Sequence, residues 1–289
     1  MKPGTYVVAV SGGVDSMALL DMLRQQPDVS MVVAHFDHGI RPDTHEDRQL
    51  IQDVTRQHAI PFVYEEAQLG PGVSENTARV ARYDFLRRAK EAHGAQAIVT
   101  AHHQDDLLET AVLNIMRGTG PRGLVSLRSR PGLERPLLHV PKKDLVAYAK
   151  DQGLVWREDS TNADTRYARN YVRQHIIPKF SAAQRQELLH HITQLGPVQQ
   201  ELEQLLVDYL HLHPGQSELN RHWFIMLPHA VSREVMLVWL QRHQVTDITS
   251  KTLERLVRAA KTYAPGQVAD VDKIHVLHIT KDSLALKRR

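Results

Sequence analysis

The sequence contains no cysteine among its 289 residues. This absence excludes disulfide bonds, zinc sites built on thiolates, iron–sulfur clusters and enzymes that carry sulfur as a persulfide. Long apolar runs are absent too, since none approaches the roughly 18 consecutive residues that indicate a membrane span. The N-terminus shows no pattern of a cleavable signal peptide. Together these absences predict a cytoplasmic protein with no membrane partner.

Neither sign of charge is in large excess. The chain has 36 lysine and arginine residues against 33 aspartate and glutamate residues, a net charge of +3 with neutral histidines. This balance permits a nucleic-acid partner but does not require one. Hydrophobic residues make up 42% of the chain and charged residues 24%. That composition predicts a packed core, and the length favours one large domain with a smaller one beside it.

Short apolar, β-branched segments alternate with helical patterns in the first part of the chain. Strands are predicted at residues 5–10, 31–36, 60–66 and 96–102, and helices at 15–26, 45–59 and 75–94. This alternation predicts an α/β fold with a doubly wound parallel sheet, in which ligands bind beyond the carboxyl ends of the strands. We predict this domain over residues 1–180. Residues 181–289 read as a smaller, helix-rich domain that ends in a hairpin.

The segment Ser-Gly-Gly-Val-Asp-Ser joins the first predicted strand to the first helix, at residues 11–16. Gly12 and Gly13 let the backbone approach an anion closely, and the following helix supplies N–H groups and the positive end of its dipole. A capped tight turn would explain two glycines alone, but not the whole ordered set. The segment is neither a Walker loop nor a dinucleotide fingerprint. We predict a phosphate site of another kind.

Two further motifs contain charged residues, and the first of them follows a strand at the edge where a nucleotide would bind. Residues 35–41, His-Phe-Asp-His-Gly-Ile-Arg, follow the second strand, and His35 and Asp37 fit a nucleotide site, a metal cluster or a plain polar loop. Arg79 and Arg82 stand three residues apart on the third predicted helix and therefore share a face. A solvated surface with salt bridges explains these arginines as well.

Residues 100–110, Thr-Ala-His-His-Gln-Asp-Asp-Leu-Leu-Glu-Thr, follow the fourth strand. If a helix begins near His103, then His102, Asp106 and Glu109 lie on one face. An acidic first helical turn would explain Asp106 but not His102 or Glu109. Ionisable groups on an otherwise apolar helix are costly to bury without a purpose. A carboxylate pair of this kind suits an ammonium group or Mg²⁺.

A basic stripe closes the first predicted domain. Arg166, Arg169 and Arg173 recur at helical spacing, with Tyr167 and Tyr171 close by. Arginines interleaved with aromatic rings suit the phosphates and bases of a nucleic acid. A surface helix that pairs with its own carboxylates is an equally good explanation.

Taken in order, seven motifs resemble those of the tRNA(Ile)-lysidine synthetase family, whose loop is that of the ATP pyrophosphatase (PP-loop) superfamily. They lie at residues 11–16, 35–41, 75–83, 101–110, 117–124, 135–138 and 159–173. The resemblance is close over residues 1–180, while the remainder is similar only in its helical character. Ala101 stands where the family usually has glycine, and Ile40 stands where it usually has leucine.

The resemblance implies an enzyme that joins L-lysine to carbon 2 of the wobble cytidine of tRNA(Ile) with a CAU anticodon. ATP would first adenylate the cytosine carbonyl oxygen, and the lysine ε-amine would then displace AMP. The implied cofactors are ATP and Mg²⁺, and a homodimer is compatible with the sequence. A tRNA thiolase of the same superfamily, a small-molecule amide synthetase and a non-catalytic nucleotide-binding regulator are the alternatives.

The resemblance also implies where the nucleotide would lie. The pyrophosphate would be cradled by Ser11, Gly12, Gly13, Val14, Asp15 and Ser16. Asp15 would in addition help to hold Mg²⁺, while His35 and Asp37 would border the adenosine. The helix-rich domain would dock the tRNA.

The remaining motif residues would serve the chemistry. Arg82 and His102 would neutralise charge that develops on the α-phosphate. Asp106 and Glu109 would position the lysine ammonium, and either carboxylate would serve as the acceptor of its proton. Arg173 would face the tRNA or a phosphate.

Overall fold

The computed structural model of the chain describes residues 1–39, 44–67, 70, 73, 75–158, 168–209, 218–243, 245 and 248–289. Ile40 and Arg41 of the second motif, and Arg166 and Tyr167 of the basic stripe, lie outside the described residues. The chain divides into two compact units, Met1–Thr193 and Gln194–Arg289.

A five-stranded parallel sheet forms the centre of the first unit. Its strands are β1 (Gly4–Ala9), β2 (Val29–Asp37), β3 (Phe62–Glu66), β4 (Ala97–Val99) and β5 (Leu133–Glu134). They lie in the order β3-β2-β1-β4-β5, and every neighbouring pair is parallel. The predicted parallel sheet is therefore confirmed, and β5 extends it beyond the four strands that the sequence indicated.

Helices cover both faces of this sheet because their apolar stripes pack against its β-branched residues. The helices are α1 (Val14–Arg24), α2 (Thr44–Gln57), α3 (Glu75–Ala92), α4 (Gln104–Met116), α5 (Pro121–Leu124), α6 (Lys142–Asp151) and α7 (Ala168–Tyr171). Leu19, Ile51 and Leu145 bring α1, α2 and α6 onto one core cluster. Phe85 and Leu86 place α3 in a second cluster built on other strand residues. The sheet is thus doubly wound, as the alternating pattern predicted.

The chain continues from α7 through further helical segments. A π-helical turn, Val172–Ile176, is followed by a short 3₁₀ turn, Ile177–Lys179, and by α8, Ala182–Tyr209. Within the described residues, no helix combines the length and the apolar character needed to cross a bilayer.

The strand order fixes where a ligand site can form. β1 pairs with β2 on one side and with β4 on the other, so the chain crosses over in opposite directions from this central strand. A crevice opens at such a reversal, just outside the carboxyl ends of the strands. The loop 11–16 leaves β1 at this edge.

The second unit is built on an antiparallel sheet. Its strands are β6 (Glu218–Asn220), β7 (Val268–Asp270), β8 (His275–Ile279) and β9 (Ser283–Arg288), in the order β6-β9-β8-β7. Its further helices are α9 (Arg221–Met226), α10 (His229–Arg242) and α11 (Ser250–Thr262). The predicted hairpin is confirmed as β8 and β9. Strands β6 and β7 have three residues each, too few for an alternating pattern to show in the sequence.

Arg221 is a buried cation that acts as a clamp in this second unit. It is 6% exposed. Its Nε donates to the carbonyl of Ala260 at 3.0 Å, and its Nη1 and Nη2 donate to the carbonyls of Thr280 at 2.8 Å and Tyr263 at 2.5 Å. Two of these acceptors lie at the C-terminus of α11, where the helix dipole favours a positive charge.

We expect Arg221→Met to lower the free energy of unfolding of this unit by about 3 kcal/mol, because the three hydrogen bonds of a buried guanidinium are lost and the buried carbonyl of Ala260 loses that donor. Urea denaturation followed by tryptophan fluorescence measures the change, since Trp223 and Trp239 lie in the unit. Arg258→Met, on the exposed side of α11, is the matched control. Equal stability of the two variants would show that the clamp contributes nothing.

Candidate active site

The carboxyl edge of the parallel sheet opens into a cleft of 800 Å³. Most of the predicted site residues line it, namely Ser11, Gly13, Val14, Asp15, Ser16, His35, Asp37, Arg82, His102, Asp106 and Arg173. The remaining two lie against its lining, since Gly12 faces Asp47 and Glu109 is buried in contact with Arg173. These residues come from five separate stretches of sequence, near positions 11–16, 35–37, 82, 102–109 and 173, and they converge on one cavity.

The glycine loop has the geometry of an anion cradle. Gly12 has a φ of +88°, and Gly13 is the N-cap residue of α1. The Ser16 hydroxyl donates to the Gly13 carbonyl at 2.9 Å and accepts the Ser11 N–H at 3.2 Å. The first N–H groups of a helix have no intrahelical acceptor. Because Gly13 and Val14 line the cleft, this end of α1 can bind phosphate oxygens there.

Asp15 lies at the centre of a charge cluster. One of its oxygens, Oδ2, lies 3.4 Å from His103 Nε2 and 3.4 Å from Lys142 Nζ. Burial would raise the pKa of Asp15, but His103 and Lys142 together hold it below its ordinary value. The other oxygen, Oδ1, is buried and has no hydrogen-bond partner among the described residues. Asp15 therefore stays ionised and keeps one oxygen for a further cation.

His103 connects this cluster to the next carboxylate. Its backbone N–H donates to Asp106 Oδ2 at 2.9 Å, which caps the N-terminus of α4. Its Nε2 lies 3.5 Å from the same oxygen. Burial would lower the pKa of His103, but Asp15 and Asp106 raise it above its ordinary value. The sequence did not identify His103 or Lys142 as site residues, although His103 belongs to a motif that it did identify.

At the end of β2, His35 presents an acceptor. Its Nδ1 lies 2.8 Å from the carbonyl oxygen of Val10, which can only accept, so Nδ1 carries the hydrogen. Nε2 is then an unprotonated acceptor, buried and without a partner among the described residues. Burial, more than any other influence, lowers the pKa of His35. Asp37 accepts the Gly39 N–H at 2.8 Å, so this end of the strand offers both a neutral imidazole and a carboxylate.

The placement of His102 differs from the helical face that the sequence predicted. α4 begins at Gln104 with His103 as its N-cap in an extended conformation, so His102 precedes the helix. Its Nδ1 instead lies 2.8 Å from the Thr100 hydroxyl. His102 and Asp106 still line the same cleft, because both follow closely on the carboxyl end of β4 at Val99.

Guanidinium groups surround His102. Burial first, and then the nearby charges of Arg135, Arg82, Arg79 and Arg169, hold its pKa well below the ordinary value. Burial also lowers the pKa of Arg82, whose Nε has no hydrogen-bond partner among the described residues. Arg135 is 4% exposed and was not identified as a site residue, although it opens the motif at 135–138. A cationic cluster around a neutral imidazole suits an anion such as a phosphate.

His102 makes the stability of the first unit depend on pH. Its folded-state pKa is depressed, so below about pH 6.5, the ordinary value, the unfolded chain binds a proton that the folded chain does not. Stability therefore falls as the pH falls below that value. We expect His102→Asn to lose less stability than the unaltered protein between pH 6.5 and pH 5.5, by up to about 1 kcal/mol.

Urea denaturation at the two pH values, followed by the fluorescence of Trp156, measures this difference. His93→Asn, an exposed histidine on the same unit, is the control and should keep the full pH dependence. An identical pH dependence for His102→Asn and the unaltered protein would contradict the neutral state of His102.

Glu109 forms a buried ion pair. Its Oε1 and Oε2 lie 2.5 Å and 3.0 Å from Arg173 Nε and Nη2, and Arg169 Nε lies 3.8 Å away. Glu109 is 1% exposed. Burial raises its pKa, although Arg173 opposes that rise. Arg173 is thus fixed at the wall of the cleft by a carboxylate 64 positions away.

A similar long-range pair supports the glycine loop. Arg157 Nε donates to Asp47 Oδ1 at 2.8 Å, and Arg157 also pairs with Glu46. The sequence identified none of these three residues. No local pattern could have done so, because 110 positions separate Arg157 from Asp47.

The residues of this cleft lie within a stretch of the chain that resembles known proteins. A family profile described as a PP-loop domain (ATP_bind_3) matches residues 1–180. A tRNA(Ile)-lysidine synthase of Thermotoga sp. (strain RQ2) is 39% identical over 189 residues, which span 62% of this chain and 46% of that protein. A tRNA(Ile)-lysidine synthase of Solibacter usitatus (strain Ellin6076) is 28% identical over 285 residues, which span 95% of this chain and 60% of the relative.

Among solved structures, a U34-tRNA thiolase from Methanococcus maripaludis aligns with a TM-score of 0.48 and 13% identity, over 70% of this chain and 73% of that one. The chain spans about half the length of the curated relatives it matches, for example 46% of the Thermotoga protein. The PP-loop profile itself covers well over half of this chain and includes the whole cleft. The chain therefore belongs to the PP-loop family of ATP-binding domains.

Proposed function

We propose that this protein joins L-lysine to carbon 2 of the wobble cytidine of tRNA(Ile) with a CAU anticodon, with ATP converted to AMP and pyrophosphate. The proposal rests on three kinds of group that line one cleft. A phosphate loop at Ser11–Ser16, a cationic cluster around Arg82 and a carboxylate at Asp106 all line the same cavity. The two curated relatives described above bear the name of that activity.

The first step is adenylation of the base. The cytosine carbonyl oxygen attacks the α-phosphorus, an oxygen–phosphorus bond forms, and the bond to the β-phosphate breaks to release pyrophosphate. The loop and the start of α1 hold the departing pyrophosphate. Arg82 lines the cleft and its Nε has no hydrogen-bond partner among the described residues, so it is placed to stabilise the charge that develops on the α-phosphate. His102, held neutral, contributes a dipole and no net charge.

The second step is transfer of lysine. The ε-amine attacks carbon 2 of the adenylated base and AMP leaves with the former carbonyl oxygen. The amine must first lose a proton, because lysine is an ammonium ion at neutral pH. Asp106 lines the cleft, whereas Glu109 is engaged by Arg173. We therefore assign the ammonium and its proton to Asp106, with Glu109 acting through Arg173.

Magnesium fits one position in this site. The described residues contain no group of three or more histidine, aspartate or glutamate side chains that could hold a metal by themselves. Mg²⁺ bound with a nucleotide needs only one or two carboxylates, because phosphate oxygens and waters complete its shell. Asp15 Oδ1 is buried and lacks a hydrogen-bond partner among the described residues. Asp15 would hold the ion, which would supply positive charge to the triphosphate.

The direct test is an assay with purified protein, ATP, radiolabelled lysine and a tRNA(Ile) transcript carrying CAU. Digestion of the tRNA should release a labelled modified nucleoside, and pyrophosphate release should depend on tRNA. A methionine tRNA with the same anticodon is the control for substrate choice. Pyrophosphate release that needs no tRNA would instead favour a small-molecule amide synthetase. No release under any condition would favour a nucleotide-binding regulator.

We further propose that residues 181–289 dock the tRNA. The proposed reactive groups that the structure describes all lie within residues 11–173, which leaves the second segment for tRNA binding. Truncation of that segment should therefore abolish the tRNA-dependent release of pyrophosphate.

A further inference from the structure

One peptide bond in the glycine loop determines which groups face the phosphates. The carbonyl of Gly12 and the N–H of Gly13 belong to the same trans peptide and so point in opposite directions. Gly12 has a φ of +88°, and Gly13 lines the cleft. A hydrogen bond that fixes the direction of the Gly12 carbonyl therefore also fixes the direction of the Gly13 N–H.

Arg157 makes that hydrogen bond. Its backbone N–H donates to the Gly12 carbonyl at 3.0 Å. Arg157 follows α6 in a segment without regular structure, which needs an anchor to hold a backbone group in one place. The side chain of the same residue supplies that anchor.

The anchor lies at the start of α2. Arg157 Nε donates to Asp47 Oδ1 at 2.8 Å, and its Nη1 pairs with Glu46. Asp47 is 4% exposed. A methyl group added at Gly12 would lie 3.4 Å from Asp47 Cβ, so Asp47 packs directly against the loop that Arg157 holds. Loop, helix and arginine thus form one closed set of contacts.

We propose that Arg157 is a positioning residue that, through its ion pair with Asp47, fixes the Gly12–Gly13 peptide in its phosphate-binding orientation. The inference rests on the proposed use of ATP. Arg157 also lines the cleft, so a direct attraction between its charge and the triphosphate is the competing explanation.

The two explanations predict opposite changes in ATP affinity for one substitution. Asp47→Ala removes a negative charge from beside the triphosphate but keeps the Cβ that packs on Gly12. If charge alone mattered, ATP would bind more tightly, because repulsion is removed. If Arg157 acts by positioning, ATP binds more weakly, because the anchor of Arg157 is lost.

We expect Asp47→Ala and Arg157→Ala each to bind ATP with Mg²⁺ about tenfold more weakly, the loss that follows from one charge-assisted hydrogen bond. The double variant should be little worse than either single one, because both remove the same contact. Arg157→Lys should recover only part of the affinity, since an ammonium lacks the forked geometry. Isothermal titration calorimetry on the full chain measures these affinities without tRNA or lysine.

Arg88→Ala is the matched control. Arg88 contacts both oxygens of Glu65, at 2.8 Å and 2.5 Å, on an exposed face away from the cleft, and its removal should leave ATP affinity unchanged. Thermal unfolding of each variant verifies that it is folded. Tighter or unchanged ATP binding by Asp47→Ala overturns the inference. Failure of the unaltered protein to bind ATP overturns the proposed function itself.

Discussion

In the proposed reaction, an Asp106→Asn variant is expected to form lysidine about 100-fold more slowly while still releasing pyrophosphate from ATP and tRNA. Asparagine keeps an oxygen that can accept the His103 N–H, now 2.9 Å from Asp106 Oδ2, so the cap of α4 survives. What disappears is the negative charge that would hold the lysine ammonium and take its proton. Loss of a charged hydrogen-bond partner is worth roughly 1.5–3 kcal/mol, or about 10- to 100-fold.

Single-turnover assays separate the two steps. Pyrophosphate release reports adenylation, and incorporation of radiolabelled lysine reports transfer. In the Asp106→Asn variant the adenylated tRNA should accumulate, because it forms but is not consumed. An equal loss of both signals would place Asp106 in the nucleotide step instead.

Asp105→Asn is the matched control for this prediction. Asp105 is the adjacent carboxylate, and its Oδ2 accepts the backbone N–H of Lys142 at 2.8 Å. Asparagine can accept the same hydrogen bond. Lysine transfer should stay within about threefold of the unaltered protein, the range expected for a substitution without a lost contact. A loss as large as that of Asp106→Asn would mean that net charge at the start of α4, and not the position of Asp106, supports transfer.

The parts of the fold that sequence could predict are those with local periodicity. β1 and β2 are nearly continuous apolar runs, and α1, α2 and α3 have apolar stripes at helical spacing, so their positions follow from a few neighbouring residues. β5 is different, because Leu133–Glu134 is only two residues long and is defined by pairing with β4. No pattern of period two can appear in two residues. Its place in the sheet depends on tertiary contacts alone.

The same distinction holds within the site. The loop from Ser11 to Ser16 is a local structure, so its order of residues was enough to predict a phosphate site. The partner of Glu109 was not predictable in this way, since Arg173 lies 64 positions along the chain. Spacing placed Glu109 on the helix, but only packing shows that its carboxylate is already engaged.

For His102, the motif led to the cleft but the predicted helical position was wrong. Helical spacing placed it on one face with Asp106, yet His102 lies in the segment before α4 and its ring contacts Thr100. The two side chains reach the same cleft because β4 ends and α4 begins at this edge of the sheet, not because they share a helix face. Residue type indicated the chemistry, and topology determined the arrangement.

A Gly12→Ala variant is expected to lose ATP affinity by about 100-fold, with a loss of roughly 1–3 kcal/mol in the stability of the first unit. Gly12 has a φ of +88°, which an alanine adopts only with strain. Relief of that strain rotates the Gly12–Gly13 peptide and moves the Gly13 N–H away from the phosphates. Calorimetric titration with ATP and Mg²⁺ measures the affinity, and urea denaturation measures the stability.

Gly94→Ala separates strain from phosphate binding. Gly94 has a φ of +58° in the turn after α3, and a methyl group added there would meet nothing within 4 Å. Both variants therefore carry the cost of a left-handed alanine, but only Gly12 lies in the loop. We expect the two variants to lose similar stability, but only Gly12→Ala to lose ATP affinity. That result would show that the nucleotide binds at this loop. If both variants bound ATP as tightly as the unaltered protein, the phosphates would have to lie elsewhere. A phosphate site that includes the Gly13 N–H could not survive a rotation of the Gly12–Gly13 peptide.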